Sequence, residues 1–107
     1  MQTSVSGFIS ELMRDANQID KLGAFEKRRM LERAVTIIRE MRETIAIAPS
    51  PTERDVMIDL QTAAALVERK KISDDRVKAA MLEAATVLRT LKIVLDTRDD
   101  TIKGTTR

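Results

Sequence analysis

The sequence predicts an all-α fold, a small antiparallel bundle of three long helices plus a shorter amino-terminal helix. Apolar residues recur at steps of three and four along most of the chain, and no stretch shows the alternation typical of a strand. Capping and proline-containing sequences separate the periodic segments. Only two of the 107 residues are aromatic, so the core must consist mainly of aliphatic residues, alanine and methionine.

The longest periodic segment covers residues 24–48 and predicts the central helix, since it contains neither glycine nor proline. Its apolar stripe is Leu31, Ala34, Ile38, Met41, Ile45 and Ala48. Three flanking residues, Met30, Val35 and Ile37, widen this stripe to roughly 160° of the helix surface. One neighbouring helix cannot cover so wide a stripe, so at least two others are expected to pack on it.

A first helix is expected to run from an N-cap at Ser6 to about Leu22. Its apolar stripe is Phe8, Leu12, Ala16 and Ile19. Gly23 suits the left-handed residue that ends many helices, which favours a break at this position. The alternative is one helix continuing through Gly23, because a single glycine costs only about 1 kcal/mol there.

A third helix is predicted to begin directly after Pro49 ends the second. Ser50 as N-cap, Pro51 at the first helical position and Glu53 at the third form a capping box. The apolar stripe of this helix is Val56, Leu60, Ala63 and Val67. The helix is expected to end near Lys70, where basic residues complement its negative end.

The fourth helix is predicted to begin after Ser73, which can act as N-cap, with Asp74 and Asp75 in its first turn. Its seven-residue apolar repeat is Val77, Met81, Ala84, Leu88, Leu91 and Leu95. From Thr97 the sequence is polar and without apolar period. Residues 1–96 are therefore expected to form a single helical domain, and residues 97–107 a frayed or disordered tail.

The third and fourth helices also carry apolar residues opposite their core stripes. This candidate interface consists of Ile58, Ala65, Ile72, Leu82 and Ile93. Either the first helix packs over it and completes a four-helix bundle, or another subunit or a partner helix covers it. We expect a homo-oligomer, most simply a two-fold dimer, because such dimers are the commonest closed assemblies.

The composition argues against an enzyme and against a bound cofactor or metal. The chain has no histidine and no cysteine, which removes imidazole and thiolate ligands and the usual proton shuttle. Every candidate acid has a structural explanation on a solvated helix face, at a helix start or in the tail. These acids are Glu11 with Asp15, Asp55 with Asp59, Asp74 with Asp75, and Asp99 with Asp100.

A nucleic-acid role has two supporting patterns. The first is a candidate basic surface, Lys27, Arg28, Arg29, Arg33, Arg39 and Arg42, although local pairs such as Arg28 with Glu32 and Arg39 with Glu43 would neutralise part of it. The second is a degenerate helix-turn-helix register over residues 66–81. Lys71 stands where the turn favours glycine, and Asp74 and Asp75 would face phosphates with the wrong charge.

The sequence therefore favours a non-enzymatic protein-interaction module, such as a regulator, an adaptor or a small helical chaperone. The alternative is a DNA-binding transcriptional regulator that uses the region around residues 66–81. No apolar run approaches the roughly 20 residues of a membrane span, and the amino terminus lacks the pattern of a signal peptide. A cytoplasmic protein without a membrane partner is expected.

Overall fold

The computed structural model describes residues 4–45 and 48–105, with side chains described as far as residue 97. Its elements are α1 (Val5–Asn17), a 3-10 turn (Ile19–Lys21), α2 (Ala24–Ile45), α3 (Pro51–Glu68) and α4 (Asp74–Thr105). No strand occurs in these two ranges, which confirms the all-α prediction. No helix found there is long and apolar enough to cross a membrane.

Helix α1 begins and ends earlier than predicted. The Ser4 hydroxyl accepts a hydrogen bond from the Gly7 N–H at 3.0 Å, so the N-cap is Ser4 and not Ser6. The earlier start brings Val5 into the helix, where it packs half-buried against the core. After Asn17 the backbone tightens into the 3-10 turn, which still buries Ile19.

The first two helices are separate, as predicted, but Gly23 plays a different role from the one expected. No glycine among the described residues has a positive φ, so Gly23 is not a left-handed helix end. Its carbonyl accepts a hydrogen bond from the Lys27 N–H at 3.0 Å, which is the first bond of α2. Gly23 is therefore the N-cap of α2, a position where glycine is well tolerated.

The connection between α2 and α3 follows the predicted signals. Helix α2 ends at Ile45, and Ala48, predicted as part of its stripe, lies outside the helix and is exposed. Residues 46–47 fall outside the described ranges. The Ser50 hydroxyl accepts from the Glu53 N–H at 3.2 Å and Pro51 opens α3, which confirms the predicted start.

Helix α3 ends at Glu68 in a Schellman motif. The Lys71 N–H donates to the Leu66 carbonyl at 2.9 Å, and the Lys70 N–H donates to the Val67 carbonyl at 3.0 Å. Lys70 has φ 56° and is the one non-glycine residue with positive φ in the described part of the chain. A lysine thus occupies the left-handed position that glycine would adopt without steric cost.

Helix α4 starts as predicted, since the Ser73 hydroxyl accepts from the Arg76 N–H at 3.2 Å. The helix continues to Thr105, and the frayed or disordered tail expected from Thr97 stays a prediction. The segment contains no proline, and its first glycine is Gly104, so no strong signal ends the helix earlier.

Buried residues from all four helices and the 3-10 turn form one hydrophobic core. Helix α2 packs on both α3 and α4, and α1 packs mainly on α4. The predicted stripes supply this core except at Ala48, which is exposed, and Leu95, which is half-buried. The largest fully buried side chains are Phe8, Leu12, Leu31, Ile38, Leu60, Met81, Leu88 and Val77.

Substituting Lys70→Gly should stabilise the protein. Removing the side chain relieves the left-handed backbone of its steric cost, and we expect the free energy of unfolding to rise by about 1 kcal/mol. Urea denaturation followed by circular dichroism measures the change. Lys71→Gly is the matched control, because Lys71 does not share the positive φ and should gain nothing. A lower midpoint for Lys70→Gly would contradict this account.

Candidate interaction surface

Most of the candidate basic surface is occupied by ion pairs within the bundle. Four of its six residues pair with carboxylates on other helices: Lys27–Asp74, Arg28–Glu68, Arg33–Glu11 and Arg42–Glu53. These pairs join α2 to each of the other three helices. Because a paired cation is less available to phosphates, they weaken the case for a continuous basic face.

The Arg42–Glu53 pair is the most buried of these contacts. Glu53 is 9% exposed and is the one buried charged residue in the described part of the chain. The Arg42 Nε donates to Glu53 Oε2 at 2.8 Å, and a second guanidinium nitrogen donates to Oε1. Glu53 therefore serves two roles, since its N–H is capped by Ser50 while its carboxylate holds the end of α2.

Arg33 connects α2 to α1. Its Nη1 donates to Glu11 Oε1 at 3.1 Å, and its Cζ lies 4.8 Å from the centroid of the Phe8 ring. The guanidinium thus pairs with a carboxylate and covers an aromatic ring of the same helix. This position is half-buried and fixed by α1, so Arg33 is part of the packing between these helices.

Two arginines of the candidate basic surface remain accessible. Arg29 and Arg39 are exposed, and neither forms an ion pair with a residue whose side chain is described. The predicted local pair of Arg28 with Glu32 is present at 3.3 Å, whereas Arg39 and Glu43 form no ion pair within this part of the chain.

The region around residues 66–81 forms two helices that lie side by side. Asp59, Thr62 and Leu66 of α3 line the same small cavity as residues of the first turns of α4, which are Arg76, Ala79, Ala80 and Glu83. The two helices are therefore in contact over about two turns of each. The Asp74 carboxylate is also paired with the Lys27 ammonium at 2.7 Å.

The structure divides the candidate interface into two groups. Ile58 and Ile93 are 59% and 64% exposed, and Ala65 is also exposed. Ile72 and Leu82 are half-buried against the core. On the same side of α4 as Leu82, seven residues further on, Arg89 contacts Met13 of α1.

Phe25 is a third exposed large apolar residue among the described side chains, and it was not among the residues of the predicted interface. Its side chain is 63% exposed, and the Arg28 Cζ lies 5.7 Å from its ring centroid. Helical spacing could have predicted its exposure, because Phe25 lies about 120° from Leu31 around the helix and thus outside the core stripe. It borders an open groove of about 590 Å³ along α2 that also includes Val5 and Ile37.

A second groove lies between α2 and α3 and includes one residue of the candidate interface. This α2–α3 groove has a volume of about 360 Å³ and is lined by Ile38, Arg39, Arg42, Pro49, Glu53, Arg54, Met57 and Ile58. The apolar side chains come from both helices and the connection. Two exposed arginines, Arg39 on α2 and Arg54 on α3, stand at its edges.

The carboxylates considered as candidate acids lie in structural contacts or on exposed faces. Glu11 and Asp74 are held by Arg33 and Lys27. The Asp15 Oδ1 atom lies 3.8 Å from Arg14 Nε. The other three described acids, Asp55, Asp59 and Asp75, are exposed. The side chains of Asp99 and Asp100 lie outside the described part. Within it, no group of acidic side chains is placed to hold a metal ion.

Comparison with protein-family models, curated proteins and solved structures finds no match to this chain.

Replacing Arg42 by Met should destabilise the fold by about 2 kcal/mol, because the Glu53 carboxylate would stay nearly buried without its guanidinium. Chemical denaturation gives the value. Arg28→Met is the matched control, since its partner Glu68 has a side chain that is 63% exposed, and should cost less than about 1 kcal/mol. Equal losses for both variants would show that burial of the carboxylate is not the cause.

Proposed function

We propose that the protein is a non-enzymatic interaction module, a regulator, adaptor or small helical chaperone that binds through apolar helix faces. The observation that supports this role is the exposure of Phe25, Ile58 and Ile93 on a bundle whose other large apolar side chains, among those described, are at least partly covered. Single exposed apolar residues are common on protein surfaces. Two of these three, however, border grooves large enough to receive a partner's side chains.

We further propose an antiparallel, homodimeric bundle located in the cytoplasm. The orientation is supported by two ion pairs, because Arg28 near the start of α2 meets Glu68 at the end of α3, and Arg42 meets Glu53 near the start of α3. The dimer is supported by Ile93, and the binding of a helical partner protein by Ile58, because both side chains are left largely uncovered by their own chain.

DNA binding is the second candidate, favoured by the exposed and unpaired Arg29 and Arg39 in the described part of the chain. It ranks lower for two reasons. The other four basic residues of that surface are paired with carboxylates, and the would-be recognition helix opens with two acidic residues, Asp74 and Asp75. A DNA-binding surface normally presents several free cations together.

Substituting Ile58→Glu or Ile93→Glu should disrupt self-association or partner binding and leave the helical content intact. A charge in an apolar interface is costly, whereas a charge on a surface that is already mostly exposed costs the monomer little. Light scattering over a micromolar concentration series measures the association, and circular dichroism melts measure the fold.

Leu88→Glu is the control for this experiment, because Leu88 is fully buried and the substitution should unfold the chain. A wild-type protein that stays monomeric and captures no partner, together with unchanged behaviour of both isoleucine variants, would refute the interaction role.

Specific duplex DNA should not bind at physiological salt. Phosphate contacts make affinity fall steeply as salt rises, whereas an apolar interface persists. Fluorescence anisotropy with duplex libraries over a salt series tests this expectation. If the protein binds a specific duplex, and Arg76→Ala or Lys78→Ala changes which DNA sequence it prefers, the ranking of the two functions is reversed.

A further inference from the structure

The α2–α3 groove combines a closed apolar floor with an open apolar edge. Ile38 is 1% exposed and forms part of the floor, while Met57 is half-buried. Ile58 borders the same groove and stays 59% exposed. An apolar side chain of a ligand that enters this groove would therefore cover apolar surface that the protein itself leaves in contact with water.

The edges of this groove are positively charged. Three guanidinium groups and one carboxylate line it. Arg42 and Glu53 bind each other, which leaves the two charges of Arg39 and Arg54. Both are exposed, and neither forms an ion pair with a described side chain, although four other basic residues of α2 do.

The charge and shape of the groove point to one kind of ligand. Guanidinium groups bind carboxylates in a fixed, often bidentate geometry, which makes exposed arginines well suited to acidic partners. A ligand that also covers Met57 and Ile58 needs an apolar side chain between its acidic groups. A polypeptide supplies both, whereas a nucleic acid backbone supplies anions without the apolar side chain.

We propose that the α2–α3 groove binds an acidic amphipathic segment of another protein. An apolar side chain of that segment packs on Met57 and Ile58, and flanking carboxylates pair with Arg39 and Arg54. This inference rests on the proposed interaction role and assigns its site and the chemistry of its partner.

A second copy of the chain is a weaker complement for this groove. Its exposed isoleucine, Ile93, lies beside a pair in which Lys92 Nζ is 2.6 Å from Asp96 Oδ2. That ammonium neutralises the carboxylate and would approach the arginines of the groove with the same charge. Because the surface around Ile93 offers the groove no net negative charge, a partner with more acidic residues than this part of α4 is favoured.

The test uses a fluorescein-labelled helical peptide of about 14 residues, with leucines at steps of three and four and glutamates between them. A matched peptide carries glutamine in place of each glutamate. Anisotropy titrations should show that the glutamate peptide binds the full chain about tenfold more tightly than the glutamine peptide. This difference should decrease as salt is raised.

Variants of the chain locate the binding site. Arg39→Glu and Arg54→Glu should each weaken binding about tenfold, and Ile58→Ser about fivefold. Arg29→Glu changes the same charge elsewhere on α2, and Ile93→Ser removes an equally exposed isoleucine, so both controls should stay within about twofold of wild type. Circular dichroism melts verify that each variant folds.

A charge exchange gives the most direct test. A third peptide, with lysine in place of each glutamate, should bind the Arg39→Glu, Arg54→Glu double variant more tightly than wild type. The proposal is overturned if the glutamate peptide does not bind. It is also overturned if the control variants weaken binding as much as the groove variants do, or if the lysine peptide binds the double variant no more tightly than wild type.

The same experiments separate this proposal from the broader role. If Ile58→Glu abolishes self-association while the glutamate peptide does not bind, a second copy occupies the groove, and the acidic-partner proposal is wrong although the interaction role stands. If duplex DNA binds and Arg39→Glu removes that binding, both proposals fail.

Discussion

The bundle depends on the width of the apolar stripe of α2. Seven of its residues are buried, and they extend around more of the helix than one neighbour can cover. Helices α3 and α4 pack on this stripe together, and α1 then closes the remaining side of α4. Burial of each leucine or isoleucine side chain contributes roughly 1.5–3 kcal/mol to the free energy of unfolding. The buried stripe is therefore the largest contribution of α2 to stability.

The charged residues of α2 restrict how the other helices can lie on that stripe. An apolar face alone tolerates sliding of one helix along another, whereas an ion pair between named positions does not. Arg28 with Glu68 and Arg42 with Glu53 hold α3 at both ends. Most of this basic sequence pattern therefore serves the fold, and only Arg29 and Arg39 form no ion pair with a described side chain.

Local patterns predicted the helices and their stripes well, because spacing along one helix determines which residues share a face. Features that depend on tertiary packing, or on a choice between two possible N-caps, were not predicted. Ser4 and Ser6 can both cap a helix, and the packing of Val5 favours the earlier one. Nothing near Lys70 indicates a left-handed residue. The partners of Arg33 and Arg42 are distant enough in sequence that helical spacing could not identify them.

The two exposed isoleucines of the candidate interface show why exposure alone does not define a binding site. Their accessible fractions are nearly equal, at 59% for Ile58 and 64% for Ile93. Ile93 has a neutralised ion pair beside it, so its surroundings select no particular partner. Ile58 borders a groove with two guanidinium groups that form no ion pair with a described side chain, and the acidic partner that we propose would be selected by that combination of apolar contact and charge. Under the proposed role, partner selection is concentrated on the α2–α3 side of the bundle, while Ile93 adds apolar area with little discrimination.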